Sequence, residues 1–165
     1  MDNDLLSIQQ ARDLAVAARA AQRQFLHASQ AEVDRICAAM AEAAYAAAER
    51  LGRMACEETG YGVPEHKTLK NILASQVLWN AIKEIPTVGV VRHDPRKKLY
   101  DIAWPMGVVA ALTPSTNPTS TVMFKILIAV KARNAIVVAP HPSAAKCCVE
   151  TARLMAEAGE RAGMP

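Results

Sequence analysis

WPMGVVAALTPSTNPTSTVMFKILIAVKARNAIVVAPHPSAAK, residues 104–146, is the stretch that decides the fold. Gly107–Leu112 is an apolar run without polar alternation, the pattern of a strand buried on both faces. A turn rich in Thr, Pro, Ser and Asn follows from Thr113 to Asn117. Asn117-Pro118 reads as a helix start, because Asn accepts a bond from a free N–H at the N-cap and proline has its φ preset for the first helical position. Val122, Lys125, Ile126, Ala129 and Val130 carry that helix. Ala135–Ala139 is a second apolar strand, and Pro140-His141-Pro142-Ser143 ends it and opens another helix with Ser143 as its expected cap. The predicted unit is βαβ plus a helix, α/β in class, with parallel strands and a right-handed crossover.

In such a sheet, ligands sit beyond the carboxyl ends of the strands. The loops Thr113–Asn117 and Ala139–Ser143 are predicted to meet at that edge. Each also places a helix N-terminus there, with free N–H groups suited to an anionic group. The alternative is a packed α/β layer with inert loops.

Outward from this core, residues 1–85 read as helical. Ile8, Ala11, Leu14, Ala18, Ala21 and Phe25 recur at helical spacing over about Leu5 to Phe25. Ser29 with Glu32 is a capping-box signature. The helix it opens is predicted to run to about Glu58 on a stripe of Val33, Ile36, Cys37, Met40, Ala44, Ala47, Leu51 and Met54, which makes Cys37 a buried residue. Thr59-Gly60-Tyr61-Gly62 stops it, and Pro64 starts a third helix with Leu69, Leu73, Val77 and Ala81 as its apolar stripe. Residues 86–104 loosely alternate around a basic turn and suit a two-stranded excursion, a flap or an oligomerisation arm. The last helix runs from Ser143 to about Ala162, with Gly163 as C-cap.

Composition narrows the class. At 165 residues and 52% hydrophobic, the chain is globular and of ordinary single-domain length. A net charge of +3 and a basic cluster at Arg92–Lys98 with no interleaved aromatics argue against a nucleic-acid partner. The acidic opening MDNDLL lacks the features of a leader, and Lys125 interrupts the best apolar run, so no membrane span is expected. The four cysteines, Cys37, Cys56, Cys147 and Cys148, form neither a CxxC pair nor a zinc spacing, and adjacent cysteines make poor disulfides. A reduced, cytoplasmic chain without a metal is the expectation. Two central strands are few for a doubly wound sheet, and a further strand is due after the last helix, so the sequence reads as cut off rather than complete.

Several motifs together go further: Glu57-Glu58-Thr59-Gly60-Tyr61-Gly62 with Lys67, Lys70 and Asn71; Pro105-Met106-Gly107-Val108; Pro114–Thr121; Lys131–Ile136; and Pro140-His141-Pro142. From about Ala21 to the end, the chain closely resembles the CoA-acylating aldehyde dehydrogenases, a group that includes the aldehyde dehydrogenase half of bifunctional alcohol/aldehyde dehydrogenases and the acylating sulfoacetaldehyde dehydrogenases. That resemblance implies an oxidoreductase that converts aldehyde, CoA and NAD+ into acyl-CoA and NADH, with NADP as the alternative cofactor. It implies a Rossmann-like cofactor domain, of which this chain is the N-terminal part: helical over 1–85, an oligomerisation hairpin region over 86–104, and a βαβα unit over 105–165. The partners implied are a small aldehyde, CoA and further copies of the full-length chain.

By the same resemblance, the catalytic cysteine lies beyond Pro165, and the isolated chain is expected to be inactive. Cys147 is the alternative nucleophile, since a helix N-terminus acidifies a thiol. Non-acylating members place an Asn side chain at the substrate oxygen. Register on Pro118, Lys125 and Asn134 puts Thr116 at that position, with Asn117 beside it, so both are candidate oxyanion donors and Asn117 is also a candidate cap. The Lys and Glu that follow the second strand in those members are absent here. Cofactor contacts are therefore expected from Thr113, Pro114, Ser115, Ala139, Pro140, His141 and Pro142, with His141 equally readable as a plain loop residue. A non-catalytic short paralogue that binds nucleotide, or pairs with a full-length subunit, is the competing reading.

Overall fold

In the computed structural model, which describes residues 3–165, helix α1 (Asn3–Phe25) opens the chain. Met1 and Asp2, part of the acidic opening, lie outside the described residues. The predicted stripe of α1 is buried only at its end: Phe25 enters the core, while Ile8 and Leu14 are exposed. Helix α2 (Gln30–Ala46) begins at the predicted capping box, with Glu32 N donating to Ser29 Oγ and Ser29 N donating to Glu32 Oε2 at 2.8 Å. The single helix expected to reach Glu58 is in fact two, because the backbone bends at Ala47 and restarts as α3 (Ala48–Thr59). The bend separates two packing tasks, α2 lying on the C-terminal helix and α3 on the helix that follows it. Of the predicted stripe, Val33, Ile36, Cys37, Met40, Ala44, Ala47 and Leu51 are buried, and Met54 is half-buried against the same core. Gly60, at φ 71°, closes α3 in the left-handed conformation that a side chain would strain.

Helix α4 (Pro64–Ile72) starts at Pro64 as predicted and continues through a π turn (Leu73–Val77) into α5 (Leu78–Ile82). Its inside and outside are the reverse of the expectation. Leu69, Leu73, Val77 and Ala81 are exposed, whereas Lys67, Asn71 and Ser75 are buried at the same four-residue spacing. The neighbours decide this: Ala48 O of α3 accepts from Asn71, Thr116 O accepts from Lys67, and the Thr119 hydroxyl donates to Asn71, so the face turned inward is polar. The approach of α3 to α4 is close, since a Cβ built on Gly52 would stand 3.0 Å from Thr68 N.

The two-stranded excursion is present. Strands β1 (Gly89–Asp94) and β2 (Leu99–Ala103) pair antiparallel, with an irregular register between Val90 and Arg92. Asp94 Oδ1 accepts from Arg96 N and Lys97 N to shape the turn, and His93 stacks on Tyr100 at 4.2 Å. The base is tied to α2 by Gln30 Oε1, which accepts from Thr87 N at 2.7 Å and Val88 N at 3.1 Å.

Strands β3 (Val108–Thr113) and β4 (Ala135–Pro140) pair in parallel, from Val108 with Ala135 to Thr113 with Pro140. Burial on both faces is not what the structure has: Ala111 and Thr113 are buried, but Leu112 is 74% exposed. Between the strands runs α6 (Pro118–Lys131), whose Val122, Met123, Ile126, Leu127 and Val130 fill the core against α2, β3 and α7 (Ala145–Arg161).

The Lys131-Ala132-Arg133-Asn134 motif is the joint of this unit. Lys131 is buried, paired with Asp34, and donates to Lys83 O at 3.1 Å. Arg133, at φ 57°, donates to Leu26 O and so holds the α1–α2 connection. Asn134 Oδ1 accepts from Gly107 N at 2.9 Å, and Ala135 N donates to Gly107 O at 2.9 Å, which sets the start of both strands. Replacing Asn134 by Ala leaves the Gly107 N–H without that acceptor. The expected cost is about 1–3 kcal/mol, read as a lower urea midpoint with an unchanged m-value.

Candidate functional site

The carboxyl ends of β3 and β4 bring the two predicted loops together, with His141 N donating to Thr113 O at 2.9 Å. Between the loops lies a shallow cleft of about 400 Å³ lined by Leu112, Thr113, Pro114, Ala139, Pro140 and His141. Five of the seven residues predicted to contact a cofactor thus share one wall. Ser115 and Pro142 belong to the same two loops but do not line the cleft. Thr116 and Asn117 follow in the first loop, Thr116 exposed and Asn117 half-buried.

This loop is held from α4. Lys67, only 4% exposed, donates from Nζ to Thr116 O at 2.9 Å. Burial pulls its ammonium pKa below the ordinary value, and the nearby Lys70 adds to that, against the opposing influence of the Cys56 and Cys147 thiols. Lys70 Nζ donates to Asn117 Oδ1 at 2.8 Å. Asn71, fully buried, donates from Nδ2 to Ala48 O at 2.9 Å and accepts at Oδ1 from Thr119 Oγ1 at 2.8 Å. On the other side Lys125 Nζ donates to Leu112 O, fixing the end of β3 to α6.

Asn117 occupies the N-cap position of α6, yet its side chain makes no cap hydrogen bond. The carboxamide turns to Lys70 instead, and the capping role expected of it is not what it performs. At the second loop the cap is His141 rather than Ser143: His141 Nδ1 accepts from Ser143 N at 3.2 Å and opens a short 3₁₀ turn, Pro142–Ala144. The N-terminus of α7 is not open to an outside anion either. Glu58 from α3 accepts from Lys146 N at 2.8 Å and from Cys147 N at 2.7 Å. Burial pushes this carboxyl up, but the two N–H donors outweigh it and hold Glu58 below the usual carboxylate range.

A family model described as the aldehyde dehydrogenase family matches residues 5–165. The chain belongs to that family. It is 41% identical over 154 residues to the succinate-semialdehyde dehydrogenase (acetylating) of Clostridium kluyveri, covering 93% of this chain and 34% of that protein. Among solved structures, an acetylating aldehyde dehydrogenase from Geobacillus thermoglucosidasius superposes with a TM-score of 0.97 at 55% identity, covering 99% of this chain and 36% of that one. A propionaldehyde dehydrogenase from Rhodopseudomonas palustris, solved with bound CoA and an acylated cysteine, matches at TM-score 0.74 and 32% identity over 93% of this chain and 35% of that one. The chain therefore spans about a third of the length of the relatives it matches.

Two of the four thiols are poorly placed to react. Cys37 is fully buried and its pKa is pushed up to about 12 by burial. Cys147, also fully buried, is raised by its contact with Cys148, by burial and by Glu58 beside it, so the helix N-terminus does not acidify it. Among the described residues no cluster of His, Cys, Asp and Glu could hold a metal ion, and no helix is long and apolar enough to cross a membrane.

Glu58, Lys67, Lys70 and Asn71 belong to the family motifs, but the sequence alone gives none of them a task. A signal for the last three was present, as polar residues at core spacing opposite an apolar stripe. For Glu58 there was none, because its partners lie 88 and 89 residues away.

Glu58→Gln tests the internal cap. A carboxyl held low in the folded chain stabilises it above its ordinary pKa, and that stabilisation is lost as pH falls through the folded value. The variant is expected to be about 1 kcal/mol less stable at pH 7, with the gap to wild type closing below about pH 4. Thermal melting as a function of pH measures this.

Proposed function

We propose that this chain forms the N-terminal part of the cofactor-binding domain of an NAD-dependent, CoA-acylating aldehyde dehydrogenase, with the 86–104 hairpin as an arm between subunits. The observation that carries the proposal is the meeting of Thr113–Asn117 and Ala139–Pro142 at the carboxyl edge of a parallel pair, with the first loop held by buried side chains from α4.

The cleft wall suits a flat, partly apolar group. Leu112, Pro114, Ala139 and Pro140 give it apolar surface, while His141 adds a polar edge. Ser115 and Pro142 extend the two loops around it. When bound, a nicotinamide cofactor would supply the hydride acceptor; NADP is the alternative to NAD, since no side chain of the cleft selects for or against a second phosphate. Glu58 occupies the N-terminus of α7, which supports a pyrophosphate bound by other groups.

Thr116 and Asn117 stand beside the cleft as donors for the oxygen of a small aldehyde, where negative charge develops once a thiolate adds to the carbonyl. Cys37, Cys147 and Cys148 are buried and Cys56 lies on α3 away from the cleft lining, and these placements support a nucleophile outside this chain. A thioester left on that cysteine would pass its acyl group to the CoA thiol, so that the cysteine leaves as thiolate and acyl-CoA departs. The exposed Val90, Leu99, Tyr100 and Ile102 give the hairpin the apolar surface that a homo-oligomer contact needs.

Two measurements bear on this. The 165-residue chain alone, given NAD+, CoA and acetaldehyde, propionaldehyde or sulfoacetaldehyde, is expected to form no NADH, and CoA-dependent NADH formation by it would overturn the placement of the nucleophile. In its source cell, the protein detected by an antibody to this chain is expected at a mass far above 17.8 kDa. A native mass at that value would defeat the reading as part of a larger dehydrogenase.

A further inference from the structure

We infer that Lys70 is a positioning residue that turns the Asn117 carboxamide so that its N–H₂ group faces the substrate oxygen, an inference that rests on the dehydrogenase reading above. An amide can present either end to a neighbour, and the neighbour's chemistry decides which. A lysine ammonium donates and cannot accept. Lys70 Nζ stands 2.8 Å from the Asn117 side chain, so the atom facing it is Oδ1. The two Nδ2 hydrogens then point the opposite way, and among the described residues no acceptor takes them.

The main chain of the residue is held as well, so the amide swings from a fixed root. Asn117 O accepts from Thr121 N at 3.2 Å and from Thr121 Oγ1 at 2.6 Å, locking the main chain onto the first turn of α6. The preceding carbonyl, Thr116 O, is held by Lys67. The side chain does not cap α6, so the usual use of an asparagine at this position is vacant. An ammonium at Oδ1 also draws charge from the amide and strengthens its N–H as a donor. Without Lys70, Oδ1 could rotate toward the developing oxyanion and repel it.

Two lysines from one helix thus serve one loop, in different ways. Lys67 fixes the backbone and is buried. Lys70 is exposed, and its contact with Asn117 is the one that sets the orientation of a donor.

The test uses the native protein that carries this chain, assayed for CoA- and NAD-dependent oxidation of acetaldehyde, propionaldehyde and sulfoacetaldehyde. Removing a single oxyanion donor typically costs about 10²–10³ in kcat, and N117A is expected in that range. K70M is expected to lower kcat about ten- to hundredfold with KM for NAD+ and the melting temperature unchanged. K70R, which also only donates, should stay within about threefold of wild type. K70M added to N117A should cost nothing further, because the lysine acts through the amide.

K70Q is the second variant should K70M fail to fold: glutamine can accept as well as donate, so the amide is released to turn over and kcat falls likewise. Wild-type kcat in K70M or K70Q beside an impaired N117A overturns the role of Lys70 and leaves the dehydrogenase reading standing. Wild-type kcat in N117A removes the donor and the positioning role with it. No oxidation of any of the three aldehydes by the wild-type protein defeats both readings together.

Discussion

Asn71 lies with no exposure among three helices, giving its amide nitrogen to Ala48 O in α3 and taking the Thr119 hydroxyl of α6 at its oxygen. An amide buried without partners costs several kilocalories per mole, so only a rotation of α4 that meets both groups is stable. That rotation fixes everything else on the helix. Lys67, one turn earlier, is brought to the Thr116 carbonyl, Ser75, one turn later, bonds back to Asn71 O at 2.7 Å, and the leucines are left outside. The position of the first loop at the sheet edge follows from this face rather than from the loop's own residues.

The two helices that begin at the sheet edge meet the same electrostatic need in different ways. The N-terminus of α7 has free N–H groups and a positive dipole end, and the fold answers both with Glu58 from a distant helix. The N-terminus of α6 receives no side-chain cap, and two lysines stand beside it instead of a carboxylate. Such an end is electropositive and lacks the internal carboxylate that α7 has. One terminus is therefore sealed by a carboxylate and the other is not.

Much of the architecture was legible. The apolar runs at Gly107–Leu112 and Ala135–Ala139, the capping box at Ser29, the stop at Gly60 and the hairpin within residues 86–104 all appear where the pattern put them, to within a residue or two. Those features are local: a cap, a proline or an alternation acts within one turn. The errors fall where a distant partner overrode a local preference. Asn117 has the residue type of a cap but finds Lys70, 47 residues away, and Ser143 is displaced as cap by a histidine whose ring the 3₁₀ turn brings close. The continuous stripe through Ala47 hid a bend, since burial on one face does not reveal a change of axis.

By itself the sequence determined the class of each segment, the parallel α/β core, and the two loops that meet at its edge, because hydrophobic period, capping and turn chemistry are properties of neighbours in the chain. The motifs also carried the family. Only the tertiary structure decided which face of α4 is inside, which helix terminus is sealed, and which end of the Asn117 amide meets Lys70. Those are choices between alternatives of equal local cost, and they are settled by hydrogen-bond partners from other helices, whose position no spacing along one helix can give.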